Sequence, residues 1–232
     1  MKRNIIIITI AAVLALSVTP WAGAGCTSMV LAGGQSYKQA TDIDIRDWPV
    51  EHTEVRRQLI REYALEHYGL DMLEIVPRAV VVHWTVFKTA EATHDYFYGE
   101  TDDEDTLNVC SQFLVDRDGT IYRLAKETLL CRHAIGYNWC AIGIENVGGF
   151  DGKEDLTPEQ LRANIALIRY LHAKYPTIDW VFGHYQQNEA KVSGLYKENV
   201  KDYYAEKIDP GPKFMNALAD HLRADGLNFV SR

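Results

Sequence analysis

Eight histidines are spread along the chain, and two of them stand where a β-sheet delivers ligands. His83 follows directly on Arg78-Ala79-Val80-Val81-Val82, a β-branched run after Pro77 that predicts a buried strand. His184 follows a second predicted strand, Ile178 to Phe182, through a single glycine. In open α/β sheets ligands bind beyond the carboxyl ends of the strands, and two imidazoles delivered there can share a metal. A zinc site that does chemistry takes three protein ligands and keeps a fourth position open. The third should be a carboxylate, Cys or His in a constrained loop. Lys207-Ile208-Asp209-Pro210-Gly211-Pro212 offers one, because Pro210 and the Pro-Gly-Pro turn pin Asp209. Taken alone, either His is more often a satisfied polar residue, and Asp-Pro-Gly is more often just a turn. The joint pattern is what points to a metal.

The remaining histidines read more plainly. His133 stands in a loop leading into the strand that carries Glu145. His52, His67, His172 and His221 fall on predicted helices among charged neighbours, where a solvated face is expected, and His94 falls in an acidic loop.

The elements that must position these side chains can be read from periodicity. From about Val50 to Tyr68, Val55, Leu59 and Tyr63 recur at helical spacing and the pattern closes at Gly69. Residues 88–108 are polar and acidic and read as a long surface loop. Gln112 to Asp116 and Thr120 to Leu124 read as a hairpin turning at Arg117-Asp118-Gly119. Ala141 to Val147 is another strand, ended by Gly148-Gly149. Thr157-Pro158-Glu159-Gln160 opens a helix with a capping box and a proline at its first position. Leu161, Ile165, Ile168, Leu171 and Tyr175 then line one face as far as Pro176. Phe214, Leu218 and Leu222 define a last helix closing near Gly226. Mixed strands and helices with no internal repeat predict a single α/β domain, a central mixed β-sheet flanked by helices, over residues 50–232. Residues 25–49 read as an irregular lead-in segment.

The first 24 residues read as an export signal. Lys2 and Arg3 precede an apolar run of 14 residues from Ile5 to Val18, and the stretch ends Ala22-Gly23-Ala24. A spanning helix needs roughly 20 apolar residues, so cleavage after Ala24 is expected, with no integral membrane span left afterwards. Lipidation of Cys26 is the minority alternative, because Gly23 stands where lipoprotein signals usually carry a Leu-like residue. A periplasmic or secreted product follows, and export permits disulfides. Cys110, Cys131 and Cys140 leave room for one intramolecular pair at most, or for three buried thiols. The chain carries 24 basic and 32 acidic residues for a net charge of −8. Its densest basic cluster, Arg56-Arg57-x-x-x-Arg61, is interleaved with Glu54 and Glu62, so nucleic acid is excluded as a partner.

The ordered segments resemble the zinc-dependent N-acetylmuramoyl-L-alanine amidase family, whose fold is shared with peptidoglycan recognition proteins and phage amidases. They are Val80-Val-Val-His83-Trp-Thr85, Phe113-Leu-Val-Asp-Arg-Asp-Gly-Thr-Ile-Tyr-Arg-Leu124 and Arg132-His-Ala-Ile-Gly-Tyr-Asn138. Ala141-Ile-Gly-Ile-Glu-Asn-Val-Gly-Gly149, Gly183-His184 and Lys207-Ile-Asp-Pro-Gly-Pro212 complete the set, spanning about residues 50–215. The resemblance implies that His83, His184 and Asp209 hold Zn2+, that Glu145 is the catalytic acid/base and that Lys207 assists. It puts His133 at the rim of the site as a substrate or oxyanion contact, with a structural role nearly as well supported. Asn138 is a weaker substrate-binding candidate, and holding its loop suits it better. The implied substrate is peptidoglycan or its muropeptide fragments, cut by a monomer at the bond between N-acetylmuramic acid and L-alanine. Gln112 stands where many relatives have His, and the stretch after His184 departs from the usual loop. Two rival classes remain: a non-catalytic peptidoglycan-binding module of the same fold, and a non-haem iron oxygenase. Neither His83 nor His184 has the carboxylate two residues on that such iron sites use, since Thr85 and Gln186 stand there.

Overall fold

The computed structural model describes residues 43–103 and 105–230. The expected export signal, its cleavage site and Cys26 lie outside the described residues. Among the described residues, seven strands form one sheet in the order β1-β4-β3-β5-β2-β6-β7. They are β1 (Ile45–Asp47), β2 (Ala79–Val82), β3 (Phe113–Val115), β4 (Ile121–Arg123), β5 (Ala141–Asn146), β6 (Trp180–Gly183) and β7 (Asn228–Phe229). Only β3 and β4 pair antiparallel, as the two arms of the expected hairpin; every other neighbour is parallel. The sheet is therefore mixed, as the sequence predicted.

Strand β2 is apolar because the sheet is covered there. All four residues of β2 are buried, which is why that strand reads as an unbroken β-branched run rather than an alternation. Val80 and Val82 join the larger core with Ile142, Ile144, Leu167 and Leu218. Val81 turns the other way, toward Tyr137, Ala141 and Phe182.

The described residues also form four α-helices: α1 (Glu54–Tyr68), α2 (Ala90–Tyr98), α3 (Pro158–Lys174) and α4 (Pro212–Leu222). Thr53 caps α1, and Gly69 ends it at φ 64° with its N–H on the carbonyls of Ala64 and Leu65, a left-handed stop that glycine takes without strain. In α3 the Thr157 hydroxyl accepts from Gln160 N while the Gln160 side chain accepts from Thr157 N, the full capping box with Pro158 at the first position. No described helix is long and apolar enough to cross a membrane.

Three expectations need correction. Residues 88–108 are not all loop, since they contain α2, capped by the Thr89 hydroxyl on Ala92 N at 3.2 Å. Its buried face is Ala90, Thr93, His94 and Phe97, too polar to register as an apolar stripe. The lead-in segment supplies β1, which pairs with β4 and continues through Trp48 N to Arg123 O at 3.0 Å and Val50 N to Leu124 O at 2.8 Å. His67 is not solvated either: it is buried with Nδ1 2.9 Å from Glu198 Oε1, because α1 packs its last turn under the segment around Asn199.

Candidate metal centre

The register of β5, β2 and β6 explains how distant residues meet. Val82 is level with Ile144 on one side and with Gly183 on the other. One residue further on, the same register brings His83 level with Glu145 and His184. The ladder continues there, with His83 N on Ile144 O at 2.8 Å and Asn146 N on His83 O at 3.1 Å. Alternation then puts His83 and Glu145 on the face of Val81, Gly143 and Ala141. This is the carboxyl end of three parallel strands, the position where such sheets bind ligands.

Asp209 comes from the segment before α4. Its carbonyl accepts from Tyr185 N at 2.8 Å, and a Cβ at Gly183 would stand 2.9 Å from Pro210 Cδ. The absence of a side chain on Gly183 therefore lets the Asp209-Pro210 turn close onto the end of β6. The three side chains converge. His83 Nδ1 is 3.0 Å from His184 Nδ1, His184 Nδ1 is 3.2 Å from Asp209 Oδ2, and His83 Nδ1 is 3.3 Å from Asp209 Oδ2. All three residues are buried.

This donor set fits a metal ion. Ligands bound tetrahedrally at about 2.0–2.1 Å stand about 3.3–3.4 Å apart, close to the observed triangle. Two imidazole nitrogens facing each other can share only one proton, whereas a cation satisfies both together with the carboxylate. His83, His184 and Asp209 are thus a group able to hold a metal ion.

The charges around the triangle follow from burial. Burial and the neighbouring His83 push His184 down to about 4, keeping it neutral. Burial pushes the Asp209 carboxyl up, but its contacts with His184 and His83 outweigh that and hold it well below the usual carboxylate range. Burial raises Glu145 to about 7, with His83 and Lys207 pulling down and Asp209 adding to the rise. Its Oε2 is sealed from solvent and has no hydrogen-bond partner among the described residues.

These residues line a cleft of about 540 Å³ with Lys207, whose side chain is exposed. Trp84, Phe87, Tyr96 and Phe97 form an aromatic wall. Two of those come from α2, the helix that polarity hid. His133 lines the cleft too but is buried, with both ring nitrogens occupied: Nδ1 is 3.2 Å from His83 Nε2, and Nε2 is 3.2 Å from the Ala141 carbonyl. It packs over Gly143, where an added Cβ would meet His133 Cγ at 2.9 Å. Asn138 lies behind it: Oδ1 accepts from His133 N at 2.9 Å and Ala134 N at 2.7 Å, and Nδ2 donates to Tyr63 Oη at 3.0 Å. Gln112 is buried between Leu129 O at 2.8 Å and Gly143 N at 2.7 Å. Asn146 was not singled out by the sequence, yet its Nδ2 donates to His83 O at 3.0 Å. An Asn at the end of an otherwise apolar strand was the available signal.

The comparisons agree with this geometry. A family model described as N-acetylmuramoyl-L-alanine amidase matches residues 74–212. That stretch runs from just before β2 to the first residue of α4 and contains the whole donor set. The chain belongs to the N-acetylmuramoyl-L-alanine amidase family.

Among curated proteins, the endolysin of Escherichia phage T7 is 38% identical over 73 residues, 30% of this chain and 48% of that protein. The endolysin of Enterobacteria phage K11 is 32% identical over 74 residues, 30% of this chain and 49% of that one. The chain thus spans about half the length of the curated relatives it matches. Among solved structures, the N-acetylmuramoyl-L-alanine amidase LysC from Clostridium intestinale URNW superposes with a TM-score of 0.51 at 23% identity. The match covers 78% of this chain and 99% of LysC, and shows the shared fold.

Proposed function

We propose that this chain is a zinc-dependent hydrolase cutting the amide bond between N-acetylmuramic acid and L-alanine in peptidoglycan or its muropeptide fragments. One observation carries the reading: three converging donor atoms stand at the open end of the sheet beside Glu145, whose Oε2 is sealed from solvent with no hydrogen-bond partner among the described residues. A zinc ion on His83, His184 and Asp209 would supply Lewis acidity and a water acidic enough to ionise near neutral pH.

The chain's own groups do the rest. Glu145 Oε2 takes the proton from the attacking water and returns it to the L-alanine nitrogen as the amide C–N bond breaks. Its place in the cleft beside the three donors suits it to both transfers. Lys207, exposed in the cleft wall two residues before Asp209, brings a cation to the carbonyl oxygen as it gains negative charge. His133 has no ring nitrogen left for substrate, so in this reading it positions His83 rather than touching the reacting atoms. Asn138 holds the loop that carries His133.

A module that only bound peptidoglycan would have no use for a desolvated, unpartnered carboxyl oxygen beside a three-donor cluster, an arrangement that costs stability. Hydrolysis is therefore favoured over binding alone. The reading includes export through residues 1–24 to the periplasm or medium, where the substrate class resides. Asp209→Ala tests the metal assignment: the variant should lose both bound zinc and amidase activity. Full zinc with normal turnover in that variant would overturn it.

A further inference from the structure

A second cluster, which the amidase reading leaves unused, borders the cleft at Cys110. The side-chain donor atoms of His52, Cys110 and Cys131 all lie within 4.8 Å of one another. Cys110 precedes β3 and Cys131 precedes β5, and Cys110 N donates to Arg132 O at 3.0 Å. That backbone bond ties the two cysteine-bearing segments side by side. Both cysteines are buried free thiols, Cys110 Sγ donating to Ser111 O at 3.4 Å, while Cys140 stands in the separate smaller core. Cys110 is also among the residues lining the cleft.

The surroundings favour a thiolate. The Cys131 thiol pulls Cys110 below the usual thiol range against burial, and His52 and Arg56 pull the same way. Arg56 is buried, with its guanidinium held by the carbonyls of Phe97 at 2.7 Å, Tyr98 at 3.1 Å and Gly99. Its Nε has no partner, and no carboxylate pairs with it among the described residues. An anionic sulfur would balance this isolated cation.

We propose that Cys110 and Cys131 are a disulfide-forming dithiol, oxidised by exchange with an organic disulfide. The Cys110 thiolate attacks one sulfur of the reagent and expels the first reagent thiolate. Cys131 then gives up its proton and attacks Cys110 Sγ, forming the intramolecular bond and expelling the second. Two protein thiols lose two electrons and two protons in total, and one reagent disulfide becomes two thiols. The resulting bond would clamp the segment that leads through Arg132 to His133 against the segment entering β3. The proposal stands on the placement of the two cysteines and does not depend on the amidase reading.

The reduced full chain is incubated with bis(2-hydroxyethyl) disulfide, once native and once while refolding from urea, then alkylated, digested and analysed by mass spectrometry. The expected product is a Cys110–Cys131 linked peptide pair, two hydrogens lighter than the sum, with Cys140 alkylated. In Cys131→Ser, Cys110 should instead carry the mercaptoethanol adduct. Alkylation of both Cys110 and Cys131 in the native and refolded samples would overturn the proposal. So would linkage of either to Cys26 or Cys140, or blockage of both thiols by a metal ion that a chelator releases.

Discussion

His133 Nε2 lies 3.2 Å from the Ala141 carbonyl and His133 Nδ1 lies 3.2 Å from His83 Nε2. A carbonyl only accepts, so the His133 proton is on Nε2 and its Nδ1 is an acceptor. His83 must then donate from Nε2, which leaves the lone pair of its Nδ1 facing His184 and Asp209. The relay from backbone to ring to ring fixes the tautomer of His83 whose Nδ1 is free to ligate a metal. Partners of this kind are worth about 10–100-fold in metal affinity. His133→Phe should therefore weaken zinc binding by about that factor in a chelator competition, with kcat recovering at saturating zinc. Unchanged affinity with a lost kcat would mean that His133 meets the substrate directly.

Glu145→Gln separates chemistry from metal binding. The amide keeps the size of the side chain but cannot carry the proton, so kcat should fall on the order of 100-fold or more. Zinc content should stay at wild-type level. Near-normal kcat with zinc saturated would remove Glu145 from the mechanism.

The same substitution has a pH signature in metal-free protein. Glu145 titrates at about 7 in the fold against an ordinary 4.5, so the folded state binds the proton more tightly than the unfolded state. Wild-type stability therefore falls as pH rises from about 4.5 to about 7, where a buried carboxylate must form. Glu145→Gln avoids that cost and should be more stable than wild type at pH 8, by up to about 3 kcal/mol. The advantage should shrink as pH falls through 7 and vanish near 4.5. Urea unfolding of both proteins across that range measures it, and a pH-independent difference would contradict the buried-carboxyl account.

The proposed export makes its own prediction. Protein recovered from the periplasm or medium should begin at Gly25, as read by N-terminal sequencing or intact mass. A lipid-modified Cys26 in the membrane fraction would replace that account with anchoring.

The centre of this site was legible because its positions are written in local chemistry. His83 ends a β-branched run, His184 follows a strand and a glycine, and Asp209 is fixed by prolines. What stayed hidden depends on approach in space. Nothing near His133 in sequence says that its ring crosses Gly143 to reach His83. Helix α2 escaped because His94 and Thr93 occupy its buried face, with His94 stacked on Trp48 at 4.2 Å between ring centroids. Strand β1 escaped because its residues, Ile45, Arg46 and Asp47, are half-buried or exposed, so an edge strand looks like a polar lead-in.

The central claim is that the His83/His184/Asp209 cleft cuts one particular bond. Mass spectrometry of purified peptidoglycan digested with the zinc-loaded protein tests it most directly. The account predicts stem peptides beginning with a free L-alanine amine together with glycan whose N-acetylmuramic acid carries no peptide, and neither product with Asp209→Ala. Peptidoglycan bound but left uncut by the zinc-loaded protein, or cut only within the glycan or within the peptide, would contradict it.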